Sequence, residues 1–104
     1  MDVIISSLGF TAGEKLESYI KEKLEKLTPS EHIIRANVTL FVGPDRSTPN
    51  TYVEIRLEVP GNDHFVKEHS VEFEQAVDAA VNKIQAMIRK AKDKQVDHYQ
   101  GKTK

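Results

Sequence analysis

Lys83, Lys90 and Lys94 recur seven and four residues apart, so at about 100° per residue they fall along one flank of a helix. Ammonium groups in such a row can contact successive phosphates of a nucleic acid and release its counterions without reading base sequence. A weaker basic group lies earlier in the chain, where Lys15, Lys23 and Lys26 gather beside Tyr19 on a helical wheel. Other chemistries lack their residues. The chain has no cysteine, which removes thiolate nucleophiles, disulfides and cysteine-ligated zinc. His32, His64, His69 and His98 fall on separate predicted elements without HxH or HExxH spacing, so no metal site is expected. The scattered glycines form no phosphate-cradling loop. Glu72, Glu74 and Asp78 suit the positive end of a helix better than an acid pair. No catalytic residue and no cofactor is expected, so the chain does not read as an enzyme.

The 104 residues carry a net charge of −1, a balance that conceals an asymmetry. Residues 1–82 hold 8 Lys or Arg against 14 Asp or Glu, whereas residues 83–104 hold 7 against 2. Positive charge near a helix C-terminus also complements the helix dipole, so composition leaves both a solvated helix end and an anion-binding face open. The N-terminal stretch MDVIISSLGF has no basic leader, and its apolar run is far shorter than the roughly 20 residues of a membrane span. A soluble, cytoplasmic protein without membrane or small-molecule partners is expected.

Elements must position these cations. Asp2–Leu8 lacks helical spacing and reads as a first strand. Thr11 and Glu14 fit a capping box that starts a helix near Ala12, with Leu16, Ile20, Leu24 and Leu27 as its buried stripe and Pro29 as its end. Ile33–Val42 is a second strand, in which Ile34, Ala36, Val38, Leu40 and Val42 alternate inward. Residues 43–50 form a loop with Arg46 exposed, and Tyr52–Val59 alternates as a third strand with Val53, Ile55, Leu57 and Val59 inward. The turn Pro60-Gly61-Asn62-Asp63 leads to a weaker edge strand over His64–Glu68. Ser70 is the expected cap for the longest helical pattern, Ser70–Lys94, whose apolar stripe runs through Phe73, Ala76, Val77, Ala80, Val81, Ile84, Met87, Ile88 and Ala91. On its wheel Asp78, Asn82, Gln85 and Arg89 fall away from the lysine flank.

The expected fold is α+β with the order β-α-β-β-β-α. A four-stranded mixed sheet carries two roughly parallel helices on one face, as in double-stranded RNA-binding domains. Its other face stays wet, because Arg35, Asn37, Thr39, Glu54, Arg56 and Glu58 point outward. Residues 1–94 form a single domain and residues 95–104 a flexible C-terminal tail.

The first helix ending in KEKLEKL (Lys21–Leu27), the strand and turn VEIRLEVPGND (Val53–Asp63) and the helix FEQAVDAAVNKIQAMIRKAKDK from Phe73 together resemble the ribosome hibernation-promoting, or sigma-54 modulation, family over residues 2–94. That resemblance implies a factor that binds the small ribosomal subunit near the decoding region, covers the messenger and transfer RNA sites, and inhibits translation in stress or stationary phase. It implies Lys23, Lys26, Lys83, Arg89, Lys90, Lys92 and Lys94 as contacts to ribosomal RNA. It further implies a short form that acts alone or with a second hibernation factor. Glu74 and Ala86 depart from the aromatic and arginine that such helices often carry. The alternative is a protein-interaction regulator, modulating transcription, that uses the wet sheet face.

Overall fold

The computed structural model describes residues 1–27, 32–43 and 50–102, with side chains described through Lys90. Its elements run β1 (Asp2–Leu8), α1 (Glu14–Glu25), β2 (Arg35–Val42), β3 (Thr51–Glu58), β4 (His64–Ser70) and α2 (Phe73–Lys102). β1 pairs in parallel with β2, and β2, β3 and β4 pair antiparallel, giving one mixed sheet in the order β1-β2-β3-β4. The strand alternation explains the core. Register sets Ala36 opposite Leu57, Val38 opposite Ile55 and Leu40 opposite Val53, all buried on the same face. Onto that face pack Ile20 and Leu24 of α1 and Ala76, Val77, Ala80, Ile84 and Ile88 of α2, forming a single apolar cluster.

Both helices lie on this face and advance in the same direction. Tyr19 and Lys23 meet Asp78, and further along Lys26 and Leu27 line one groove with Val81, Asn82 and Gln85. Phe10, just before α1, stacks on Phe73 at the head of α2, with ring centroids 4.9 Å apart. Two glycines make turns that need a positive φ: Gly9 (+82°) leaving β1 and Gly61 (+98°) in the Pro60–Asp63 turn.

Several local expectations are corrected. No capping box forms: α1 begins at Glu14 behind Gly13, with no side-chain cap. The Ala12 amide instead donates to Ser7 Oγ at 3.4 Å, so the segment before α1 is tied to β1 and Thr11 stays outside the helix. Ser70 does not cap α2 either. It closes β4, accepting a 2.6 Å bond from Thr51 Oγ1 at its carbonyl, and the first backbone bond of α2 runs from the Ala76 amide to the Glu72 carbonyl. Ile34 and Val42, read as inward, are 55% and 44% exposed, because they sit at the two ends of the strand where the helices no longer cover it. The backbone of α2 is helical through Lys102, past the Lys94 at which the apolar pattern stops and into the stretch read as a tail. Extending an established helix fixes one residue per new hydrogen bond and needs no second nucleus. Pro29 and Arg46 lie outside the described residues.

Candidate nucleic-acid interface

α1 places its cations by the same periodicity that buries Ile20 and Leu24, since Tyr19, Lys23 and Lys26 recur on the flank next to that stripe. That flank faces α2. Tyr19 Oη donates a 2.6 Å hydrogen bond to Asp78 Oδ1, and the Lys23 ammonium stands 3.5 Å from the same oxygen and 5.5 Å from the Tyr19 ring centroid. The Asp78 carboxylate pushes the Tyr19 phenol up to about 12, through the hydrogen bond first and then through burial and the nearby negative charges of Asp78, Glu74 and Glu22. Lys26 remains out in solvent, 3.7 Å from Glu22 one turn back.

On α2 the flank facing α1 carries Asp78, Asn82 and Gln85, and Arg89 follows one turn after Gln85. Sequence projection put these four away from the lysine row, and the structure shows why: they form the inter-helix side. Lys83 points the opposite way, toward β4, where its ammonium pairs with the Glu68 carboxylate. Lys90, two turns further on, is exposed. Lys23, Lys26 and Arg89 thus border the groove between the helices, whereas Lys83 and Lys90 border the outer side of α2. The cations form two edges rather than one surface. Lys92 and Lys94 belong to α2, but their side chains lie outside those described.

Three of the five described site residues are already engaged: Lys23 with Asp78, Lys26 with Glu22 and Lys83 with Glu68. Arg89 and Lys90 make no ion pair among the described residues. Sequence reasoning did not find the carboxylates that hold the lysines. Glu22 was detectable from its spacing to Lys26, but Glu68 and Asp78 reach their lysines only through tertiary packing.

The sheet face away from the helices holds a second arrangement. Register aligns Leu8, Phe41, Tyr52 and His69 in one row across all four strands. Phe41 and Tyr52 stack 5.1 Å apart within 5° of parallel, His69 tilts against Tyr52 at 5.6 Å, and Lys67 stands over both rings. Ile4 and Phe65, each 47% exposed, share a row with Asn37 and Arg56, two rows along the same face, beyond the Ser6–Thr39–Glu54–Lys67 row. Ion pairs fill the same face: Arg35 with Glu58, Arg56 with Asp63, and Lys67 with Glu54. Among the described residues, no cluster of His, Cys, Asp or Glu could hold a metal ion, and no helix is long and apolar enough to cross a membrane.

The sequence profile described as sigma 54 modulation protein / S30EA ribosomal protein matches residues 3–96. A curated relative from Deinococcus radiodurans, named ribosome hibernation promotion factor, is 33% identical over 81 residues, covering 76% of this chain and 42% of the relative. The chain therefore spans less than half the length of that relative. A ribosomal subunit interface protein from Coxiella burnetii superposes with a TM-score of 0.80 at 17% identity, covering 89% of this chain and 99% of its own. The N-terminal domain of Thermus thermophilus Protein Y superposes with a TM-score of 0.74 at 20% identity, over 86% and 98% of the two chains. At these identities the two structures speak for the fold.

Proposed function

Because the chain belongs to the sigma 54 modulation protein / S30EA ribosomal protein family, we propose that it is a ribosome hibernation factor acting in the cytoplasm without catalysis. In this reading it binds the small ribosomal subunit near the decoding region, occupies the messenger and transfer RNA sites, and halts translation under stress or in stationary phase, alone or with a second hibernation factor. The family match carries the reading. The cations on the two helices support it: Lys23, Lys26 and Arg89 on the groove side, Lys83 and Lys90 on the outer edge, with Lys92 and Lys94 following in the sequence of α2. Such groups bind phosphate by charge and spacing, so affinity should fall steeply with salt. Co-sedimentation with purified small subunits at physiological salt tests the proposal. Absence of binding, or binding unchanged when Lys83, Arg89 and Lys90 are all replaced by glutamate, would refute it.

A second reading assigns the protein to partner-protein regulation through the open sheet face. The Phe41–Tyr52–His69 row and the exposed Ile4, Leu8 and Phe65 favour it. It requires that Phe65→Glu leave subunit binding intact while abolishing the effect on cells, and loss of both together would rule it out.

A further inference from the structure

Among the described residues, Lys83 is the ion-paired lysine whose partner is least exposed. Its own side chain is 64% exposed, but that of Glu68 is only 16% exposed, on the helix-facing side of β4 beneath α2. A carboxylate so placed cannot follow a lysine that swings outward, because the strand holds it. When Lys83 engages a phosphate, Glu68 loses its counterion and stands as a fixed negative charge beside an incoming negative group. Across the helix, the more exposed Asp78 carboxylate pairs with Lys23 at 3.5 Å while also accepting the Tyr19 hydrogen bond, which fixes its position. The net charge of −1 therefore includes basic groups matched locally by carboxylates at the very edges that would meet RNA.

Resting on the ribosomal reading above, we infer that Glu68 and Asp78 act as built-in competitors for phosphate, making the helical surface bind only where RNA phosphates are dense enough to displace them. A short isolated duplex, which cannot present phosphates to both edges at once as a folded RNA surface can, is thereby bound weakly, although it presents the same backbone chemistry. Specificity arises from a repulsive element in the protein rather than from base contacts. Glu68 gives the cleaner test, since Asp78 also joins the two helices.

The experiment measures binding to a short duplex RNA of arbitrary sequence by fluorescence anisotropy over a salt series. It compares the intact chain with Glu68→Gln, Lys83→Gln, the double variant, and Glu25→Gln as a charge-matched control on exposed α1 surface. Thermal melts establish that each variant is folded. Glu68→Gln should raise duplex affinity several-fold above the control and steepen the salt slope by about 0.7 to 0.9, the increment for one added phosphate contact. In the Lys83→Gln background the gain should vanish. A gain no larger than that of Glu25→Gln, a gain that persists without Lys83, or no gain at any salt overturns the inference. Small-subunit sedimentation run on the same proteins separates the two questions. A Lys83-dependent gain on duplex RNA with no subunit binding by any protein sustains the competitor role and sinks the ribosomal reading. Subunit binding without that gain does the reverse.

Discussion

Tyr19 Oη and Asp78 Oδ1 lie 2.6 Å apart, a hydrogen bond that joins the middle of α1 to the early turns of α2 above a core to which both helices contribute. The bond is to a charged acceptor and lies partly buried, so Tyr19→Phe should lower stability by about 1 to 2 kcal/mol. Urea denaturation should show a lower midpoint with an unchanged slope. An unchanged midpoint would mean that the bond contributes nothing net.

The same pair gives a pH dependence. In the unfolded chain the Tyr19 phenol titrates near its ordinary value of 10.0, and in the fold it titrates at about 12. A raised folded pKa means that the fold holds the proton more tightly. The contribution is thus fully present below about pH 10 and lost as pH rises toward 12. Tyr19 should ionise late in an ultraviolet titration of the folded protein, and Tyr19→Phe should remove that late step.

Arg89 and Lys90 are neighbours in sequence but stand on opposite edges of α2. If both edges touch ribosomal RNA, Arg89→Gln and Lys90→Gln should each flatten the salt dependence of subunit binding by about 0.7 to 0.9. A change in only one variant would assign the RNA to that edge alone.

Gly43 lies under the Tyr52 ring, and a Cβ there would come within 2.7 Å of Tyr52 Cε1. Gly43→Ala should therefore displace the ring from Phe41 and destabilise the fold by about 1 kcal/mol or more. Combining it with Tyr52→Ala should remove most of the extra cost, which a double-mutant cycle would read directly. Additive losses would mean that the ring yields freely.

The element order, the mixed sheet and most of the core were legible because burial on one face leaves period-two and period-3.6 patterns in the chain. Val53, Ile55 and Leu57 alternate cleanly, and Ala76 to Ile88 recur at helical spacing. The helix starts were less legible, since Ser7 ties the Ala12 amide back to β1 and Thr51 bonds the Ser70 carbonyl as part of β4, so both helices begin a few residues later than Thr11 and Ser70 suggest. The candidate site was legible only as a set of cations. A helical wheel gives the angle between Lys83 and Arg89, yet only the position of α1 decides which of them borders the groove. The aromatic row escaped notice for a related reason: Phe41, Tyr52 and His69 belong to three strands, and only register makes them neighbours.

β1 has a single sheet partner, from Asp2 opposite Arg35 to Leu8 opposite Phe41, with all of α1 lying between the paired residues. Closing so long a loop costs chain entropy before any contact can offset it, whereas β2, β3 and β4 join consecutive antiparallel neighbours. Assembly should thus begin on the C-terminal side of the sheet, and the strand first to leave a synthesising machine should be the last to lock. Ile5→Ala, which thins the β1 side of the core, should accordingly speed unfolding in stopped-flow measurements while leaving the folding rate nearly untouched.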